Sequence, residues 1–189
     1  MKRIISVVCG LVLAGVLTLS QSSPVLAMSH EGGADIKASA SCKYCGMDRE
    51  KFAHSRMLIE FDDGSTVGTC SLRCVAVDLA NNIDKTPVSL KVGDYGTKKL
   101  IDAEKAFWVI GGSKPGVMSK NAKWAFATKE SAEAFIKENG GKLANFDEAM
   151  KAAYMDMYND TKMIRDKRKQ KKMMKQEKHE GKEKHEGHH

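Results

Sequence analysis

Two thiols and a thioether lie within six residues, Cys42-Lys43-Tyr44-Cys45-Gly46-Met47. Thiolate and thioether sulfurs are soft donors, and a site that combines them selects Cu(I) over harder ions. A Cys-x-x-Cys pair alone fits zinc, thiol redox chemistry or a disulfide equally well, so Met47 is what turns the reading towards monovalent copper. A second pair sits four residues apart in Cys70-Ser71-Leu72-Arg73-Cys74. At the start of a helix that spacing places both sulfurs on one face, and a helix N-terminus favours the thiolate. Met118, in Pro115-Gly116-Val117-Met118, offers another thioether, and Met173, Met174, His179, His185, His188 and His189 gather towards the C-terminus.

Each feature has a structural alternative. The two Cys pairs are separated by 24 residues, which permits a tetrahedral four-cysteine zinc site, or one or two disulfides stapling a small domain. An isolated methionine such as Met118 commonly fills a gap in a core. The terminal histidines could be solvated tail, although the repeat of Lys-His-Glu-Gly at 178–181 and 184–187 argues against a pure purification tag. Catalysis has little to stand on. His30 and His54 are the only histidines before the tail, and no Ser, His and Asp arrangement or glycine-rich phosphate loop is visible.

The elements that must position these sulfurs follow from hydrophobic periodicity. Met57 to Phe61 reads as a strand, Asp63-Gly64 as a hairpin turn, and Ser65 to Thr69 as the return strand. Ser71 is a candidate N-cap for a helix from Leu72 to about Asn81, with Val75, Leu79 and Ile83 at helical spacing. Val88 to Val92 alternates like a half-buried strand. The order then repeats: a strand over Ala106 to Ile110, a turn-rich loop over Gly111 to Gly116, and a strand over Lys123 to Ala127. Thr128 caps a helix that buries Ala132, Phe135 and Ile136 and ends at Asn139-Gly140-Gly141; a short strand over Lys142 to Phe146 follows. Asp147 begins a final helix with Met150, Tyr154, Met157 and Ile164 near one face, whose apolar spacing fades from Arg165. Disorder is expected beyond Gly181. The prediction is an α+β fold of two similar strand-strand-helix-strand halves, followed by a C-terminal helix and a disordered basic tail.

Composition sets the compartment and narrows the partners. Lys2 and Arg3, an apolar run from Ile4 to Ser20 and Val25-Leu26-Ala27 have the layout of a secretory signal, with cleavage expected after Ala27. Cys9 lies inside the apolar run, so it does not read as a lipid-attachment cysteine. Four cysteines then remain in an oxidising compartment. The organisation expected is a signal peptide at 1–27, a flexible lead-in at 28–41, a metal-binding domain at 42–161 and a basic Met/His-rich tail at 162–189. The net charge of +7 belongs to that tail: residues 162–189 carry 11 Lys and Arg against 5 Asp and Glu, whereas residues 28–161 carry 18 against 19. A nearly neutral exported domain argues against nucleic acid as partner. The tail is expected to capture metal weakly or to contact an acidic partner or membrane surface.

Cys45-Gly46-Met47, Phe61-Asp62-Asp63-Gly64 and the run Ile101 to Ser113, together with Ala125-Phe126, Ala132 to Phe135 and Gly140-Gly141, resemble the NosL family in consistent order over about residues 42–149. The resemblance implies an exported Cu(I) carrier of nitrous oxide reductase maturation, with a fold of two similar halves also seen in the organomercurial lyase MerB. It further implies Cu(I) held by Cys45 and Met47, with Met118 as loop ligand. In the family that methionine directly follows proline, whereas Gly116 and Val117 intervene here. Cys70, Cys74 and the tail are additions to the family pattern. The expected function is a periplasmic copper(I) metallochaperone, not an enzyme, delivering Cu(I) to an exported cuproenzyme or its maturation machinery. The alternative is a structural module stapled by a four-cysteine zinc site or disulfides. Mercury–carbon cleavage rests on fold analogy alone.

Overall fold

The computed structural model describes residues 33–186. The export segment at 1–27, the start of the lead-in and His188 and His189 lie outside the described residues. A short helix, α1 (Ala34–Ala38), precedes the domain. Strands β1 (Met57–Phe61) and β2 (Thr66–Thr69) form a hairpin with Met57 opposite Thr69. Gly64 takes a φ of 78° at its turn, a conformation that favours glycine. Helix α2 (Leu72–Asn81) follows, then β3 (Pro87–Gly93) and β4 (Leu100–Asp102). All pairings are antiparallel, in the order β2-β1-β3-β4.

The second half repeats the order with β5 (Phe107–Ile110), β6 (Lys123–Phe126), α3 (Lys129–Asn139) and β7 (Lys142–Ala144). These strands form an antiparallel sheet ordered β6-β5-β7. Helix α4 (Phe146–Glu186) is the last described element. The α+β class and the two strand-strand-helix-strand halves are therefore as the sequence predicts.

Alternation along β1 sends Met57, Ile59 and Phe61 into a core shared with Leu72 and Val75 of α2 and with Trp108 of β5. One core thus spans both halves, and a smaller one packs Phe135 of α3 on Trp124 and Phe126 of β6. Asp94 joins the halves. Its buried carboxylate accepts from the Ala127 amide at 2.8 Å and from the Thr97 amide and hydroxyl at 2.7 Å. The adjacent Tyr95 amide donates to the Ala125 carbonyl at 2.8 Å.

Several local expectations need correction. Strand β4 has only three residues, too few for alternation to register. The strand expected over Lys142 to Phe146 stops at Ala144, because Asn145 and Glu148 form a reciprocal capping box. The Glu148 amide donates to Asn145 Oδ1 at 2.9 Å, and the Asn145 amide to Glu148 Oε2 at 3.0 Å. Thr128 caps α3 as expected, accepting from the Ser131 amide, whereas Ser71 makes no side-chain cap bond. Ile83 lies beyond the end of α2 and is 90% exposed. The lead-in is not simply flexible: α1 forms within it, and Asp35 is held by two arginines. Helix α4 runs past Gly181 to Glu186, where the sequence predicts disorder, consistent with the high helix propensity of its Lys and Glu. No described helix is long and apolar enough to cross a membrane.

Candidate metal centre

The Cys42-x-x-Cys45 segment is a tight turn locked by its own backbone. The Cys42 amide donates to the Met47 carbonyl at 2.8 Å, and the Gly46 amide to the Cys42 carbonyl at 2.9 Å. Gly46 sits at φ 71°, in the left-handed region, so a side chain there would strain the turn. The Lys43 amide donates to the Gly68 carbonyl on β2 at 3.2 Å, which lays the turn beside the strand that leads into Cys70.

That docking brings both cysteine pairs together. The Sγ atoms of Cys42, Cys45, Cys70 and Cys74 all lie within 4.8 Å of one another. All four are free thiols. Cys70 Sγ is 3.4 Å from Cys45 Sγ and 3.9 Å from Cys74 Sγ, and Cys45 and Cys74 are 3.9 Å apart. Met47 Sδ stands 3.9 Å from Cys70 Sγ. Cys42, Cys70 and Cys74 are buried, whereas Cys45 and Met47 are partly exposed. Phe52 and Val117 pack against the sulfurs and limit water on the inner side.

The four thiols do not share one acidity. Hydrogen bonding from the Cys74 thiol, with help from Cys45, outweighs burial and draws Cys70 down to about 6. Cys45 is pushed up to about 11, first by burial, and Cys74 is pushed up by its bond to Cys70 and by burial. The three interacting sulfurs are thus drawn apart in acidity, with Cys70 favoured towards the thiolate. The expected acidity at the start of α2 is thus found at Cys70 and not at Cys74, and its main source is the neighbouring thiols.

Met118 is exposed on its loop, whereas the four cysteines and Met47 are buried or half-buried. Val117 is the loop residue packed against the sulfurs, and Met118 is 39% exposed at a φ of 60°. A methionine in that backbone region costs roughly 1–2 kcal/mol. The loop is fastened to α4, where Asp156 accepts from the Ser119 hydroxyl at 2.6 Å and from Lys123 Nζ at 2.5 Å. His54 also stands apart, with its ring 5.5 Å from Trp124 and 5.9 Å from Tyr95. Burial, with the Lys98 charge, lowers its pKa.

Two buried charged groups that sequence reasoning missed support the site, Asp78 on the turn itself and Arg49 on the lead-in and strand ends beside it. Asp78, one helical turn beyond Cys74, is fully buried. Its Oδ1 accepts from Tyr44 Oη at 2.5 Å and from Lys43 Nζ at 3.0 Å, the two residues between Cys42 and Cys45. Its Oδ2 is buried without a partner. Asp78→Ala should weaken metal affinity by about 10–100-fold, as loss of a ligand-positioning partner does, with the cysteines untouched. Chelator competition on the variant checks this; an unchanged affinity would mean that the turn holds its shape without Asp78.

Arg49, directly after Met47 and Asp48, is completely buried. Its guanidinium donates to the carbonyls of Ser39, Asp35, Met57 and Thr69 at 2.6–3.2 Å and pairs with the Asp35 carboxylate at 2.7 Å. Arg56 binds the same carboxylate at 2.9 Å. A Cβ on Gly68 would lie 2.7 Å from the Arg49 guanidinium, so that close approach requires glycine. The sequence signal is slight: one arginine two residues past the methionine, with its acid in a segment that reads as a linker.

The NosL family model matches residues 33–154, about two thirds of the chain and every sulfur of the cluster. The chain belongs to the NosL family. A solved structure, that of the copper chaperone NosL from Shewanella denitrificans, is similar at 26% identity, covering 60% of this chain and 91% of that one with a TM-score of 0.49. No curated protein matches the chain. The NosL match begins at Gly33, immediately before α1, and ends within α4 at Tyr154, so the basic remainder of α4 falls outside it.

Proposed function

We propose that this NosL-family chain is an exported copper(I)-binding metallochaperone that holds Cu(I) in the periplasm and hands it on without catalysing a reaction. The observation that carries the reading is the gathering of four thiols and a thioether in one half-shielded cluster. Soft sulfur donors select Cu(I), and Cys42, Cys45, Cys70, Cys74 and Met47 supply them. The asymmetry of burial supports transfer. Three cysteines sit inside, while Cys45 and Met47 form an accessible edge where an incoming thiolate or thioether can displace one donor at a time. Met118, on the loop beside Val117, is the thioether proposed to join during loading or release. The recipient is an exported cuproenzyme or its assembly machinery, with nitrous oxide reductase maturation as one candidate. Export is assigned to the signal at 1–27.

The test is elemental analysis and thiol counting on natively exported protein, followed by Cu(I) titration of the reduced chain against a competing chelator. Tight, reversible Cu(I) binding is expected, and none would end the proposal.

One geometric observation favours a second reading, a structural zinc site made by all four cysteines. Tetrahedral sulfurs at about 2.3 Å from zinc lie about 3.8 Å apart; Cys45, Cys70 and Cys74 are separated by 3.4–3.9 Å, and Cys42 lies within 4.8 Å of them. One zinc ion that copurifies and that Cu(I) fails to displace would establish this reading instead.

The tail is proposed to capture metal weakly or to dock on an acidic surface. Met173 and Met174 are exposed, as are the other described side chains from Arg165 to Glu177. Deleting residues 165–189 should therefore change stability by no more than about 0.5 kcal/mol. It should also abolish weak metal uptake or salt-sensitive adsorption to anionic vesicles. A deletion variant unchanged in both assays would remove the tail from the proposal.

A further inference from the structure

We infer that the sulfur cluster is built to hold two Cu(I) ions bridged by Cys70, an extension that rests on the copper reading above. Five sulfurs are in place: Cys42, Cys45, Cys70, Cys74 and Met47. A single three-coordinate Cu(I) uses at most three of them and leaves at least one thiol idle inside the cluster. Two ions sharing one sulfur use all five with three bonds each. Cys70 is the natural bridge, because it lies 3.4 Å from Cys45, 3.9 Å from Cys74 and 3.9 Å from Met47. Three sulfurs bound to one metal at about 2.3 Å stand about 4.0 Å apart, close to these separations. The outer ion would take Cys45, Met47 and Cys70, and the inner ion Cys42, Cys74 and Cys70.

Charge permits the pair. Three of the four thiols are buried against Phe52 and Val117, where unbalanced charge is costly. Lys43 does not compensate the cluster, since its ammonium is paired with Asp78, and Arg49 is paired with Asp35. With all four cysteines ionised, two Cu(I) ions leave the cluster at −2, the charge of a zinc ion on four thiolates, which proteins hold routinely. Each ion enters as Cu(I) and displaces thiol protons to solvent, so no electron is transferred. The arrangement gives the two ions different access: the outer one lies at the exposed edge, and the inner one is retained behind it.

Anaerobic titration of the reduced full chain with Cu(I), against a chelator of known affinity, measures the stoichiometry. X-ray absorption at saturation detects a short Cu–Cu path. Two ions per chain with a Cu–Cu path are expected. Cys42→Ser combined with Cys74→Ser should take one ion and lose the path, with circular dichroism confirming that the variant is folded. Wild-type saturation at one tight ion, with no Cu–Cu path, would overturn the bridged pair and leave the carrier proposal standing. Failure to bind Cu(I) tightly at all would overturn both. Should the double variant not fold, wild-type stoichiometry and the Cu–Cu path decide the matter alone.

Discussion

Replacing Arg49 with Met lowers the unfolding free energy by about 3–5 kcal/mol, read from the midpoint of urea denaturation at constant slope. The figure follows from what is left behind. Arg49 has no exposed surface and donates to four main-chain carbonyls, so its loss strands several acceptors together with part of the Asp35 charge. Asp35→Asn should cost a similar amount for the opposite reason. Two buried guanidiniums then share a neutral amide, and each repels the other. The pH dependence separates the two variants. Burial alone would raise the Asp35 pKa, but the guanidiniums of Arg56 and Arg49 outweigh it and hold the carboxyl below its ordinary value. A depressed carboxylate contributes stability that is present above its unfolded value of about 3.9 and is lost as pH falls through the lower folded value. Wild type should therefore lose stability in that acid window, and Asp35→Asn should lose correspondingly less there. A stability change below about 1 kcal/mol in Arg49→Met would show that the network is dispensable.

This network also marks where the sequence stops being readable. Strands β1, β2, β3, β5 and β6, helices α2 and α3 and the doubling of the fold are legible because each is a local pattern: Met57, Ile59 and Phe61 alternate, and Thr128 precedes a helical face. The meeting of Cys42-x-x-Cys45 with Cys70 and Cys74 is legible only as one option among several, because 24 residues separate the pairs and no local rule sets their approach. What sets it is the Lys43 amide on the Gly68 carbonyl and Arg49 packed over Gly68, contacts between a turn and a strand end. Asp78 is hidden for a related reason. On a helix that reads as amphipathic, a lone carboxylate looks like a solvent-facing residue, yet this one is buried to receive Tyr44 and Lys43. Which residue of Pro115-Gly116-Val117-Met118 faces the sulfurs is likewise a tertiary outcome: Val117 packs on them and Met118 is exposed.

Cys70→Ser should weaken Cu(I) binding by about 100-fold or more, the largest effect of any single sulfur and equivalent to about 2.8 kcal/mol. Sequence alone ranks Cys45 and Met47 as the principal pair; the geometry moves the centre of the site to Cys70. Its sulfur is within 3.9 Å of three others, and hydrogen bonding, first from the Cys74 thiol, lowers its pKa to about 6 and favours the thiolate there. Proton loss on metal binding is therefore easier at Cys70 than at Cys45, whose pKa is pushed up to about 11, first by burial. Serine keeps the volume but stays protonated and offers a hard oxygen, so the variant loses both the charge and the soft donor. Met47→Ala removes a neutral thioether from the exposed edge and should cost about tenfold; Met118→Ala, at an exposed loop residue, should cost less than about threefold at equilibrium and act on the rate of release. Chelator competition gives the affinities, and stopped-flow transfer to the chelator gives the rates. A Cys70→Ser variant within about threefold of wild type would place the copper on Cys45 and Met47 after all, with Cys70 reduced to packing.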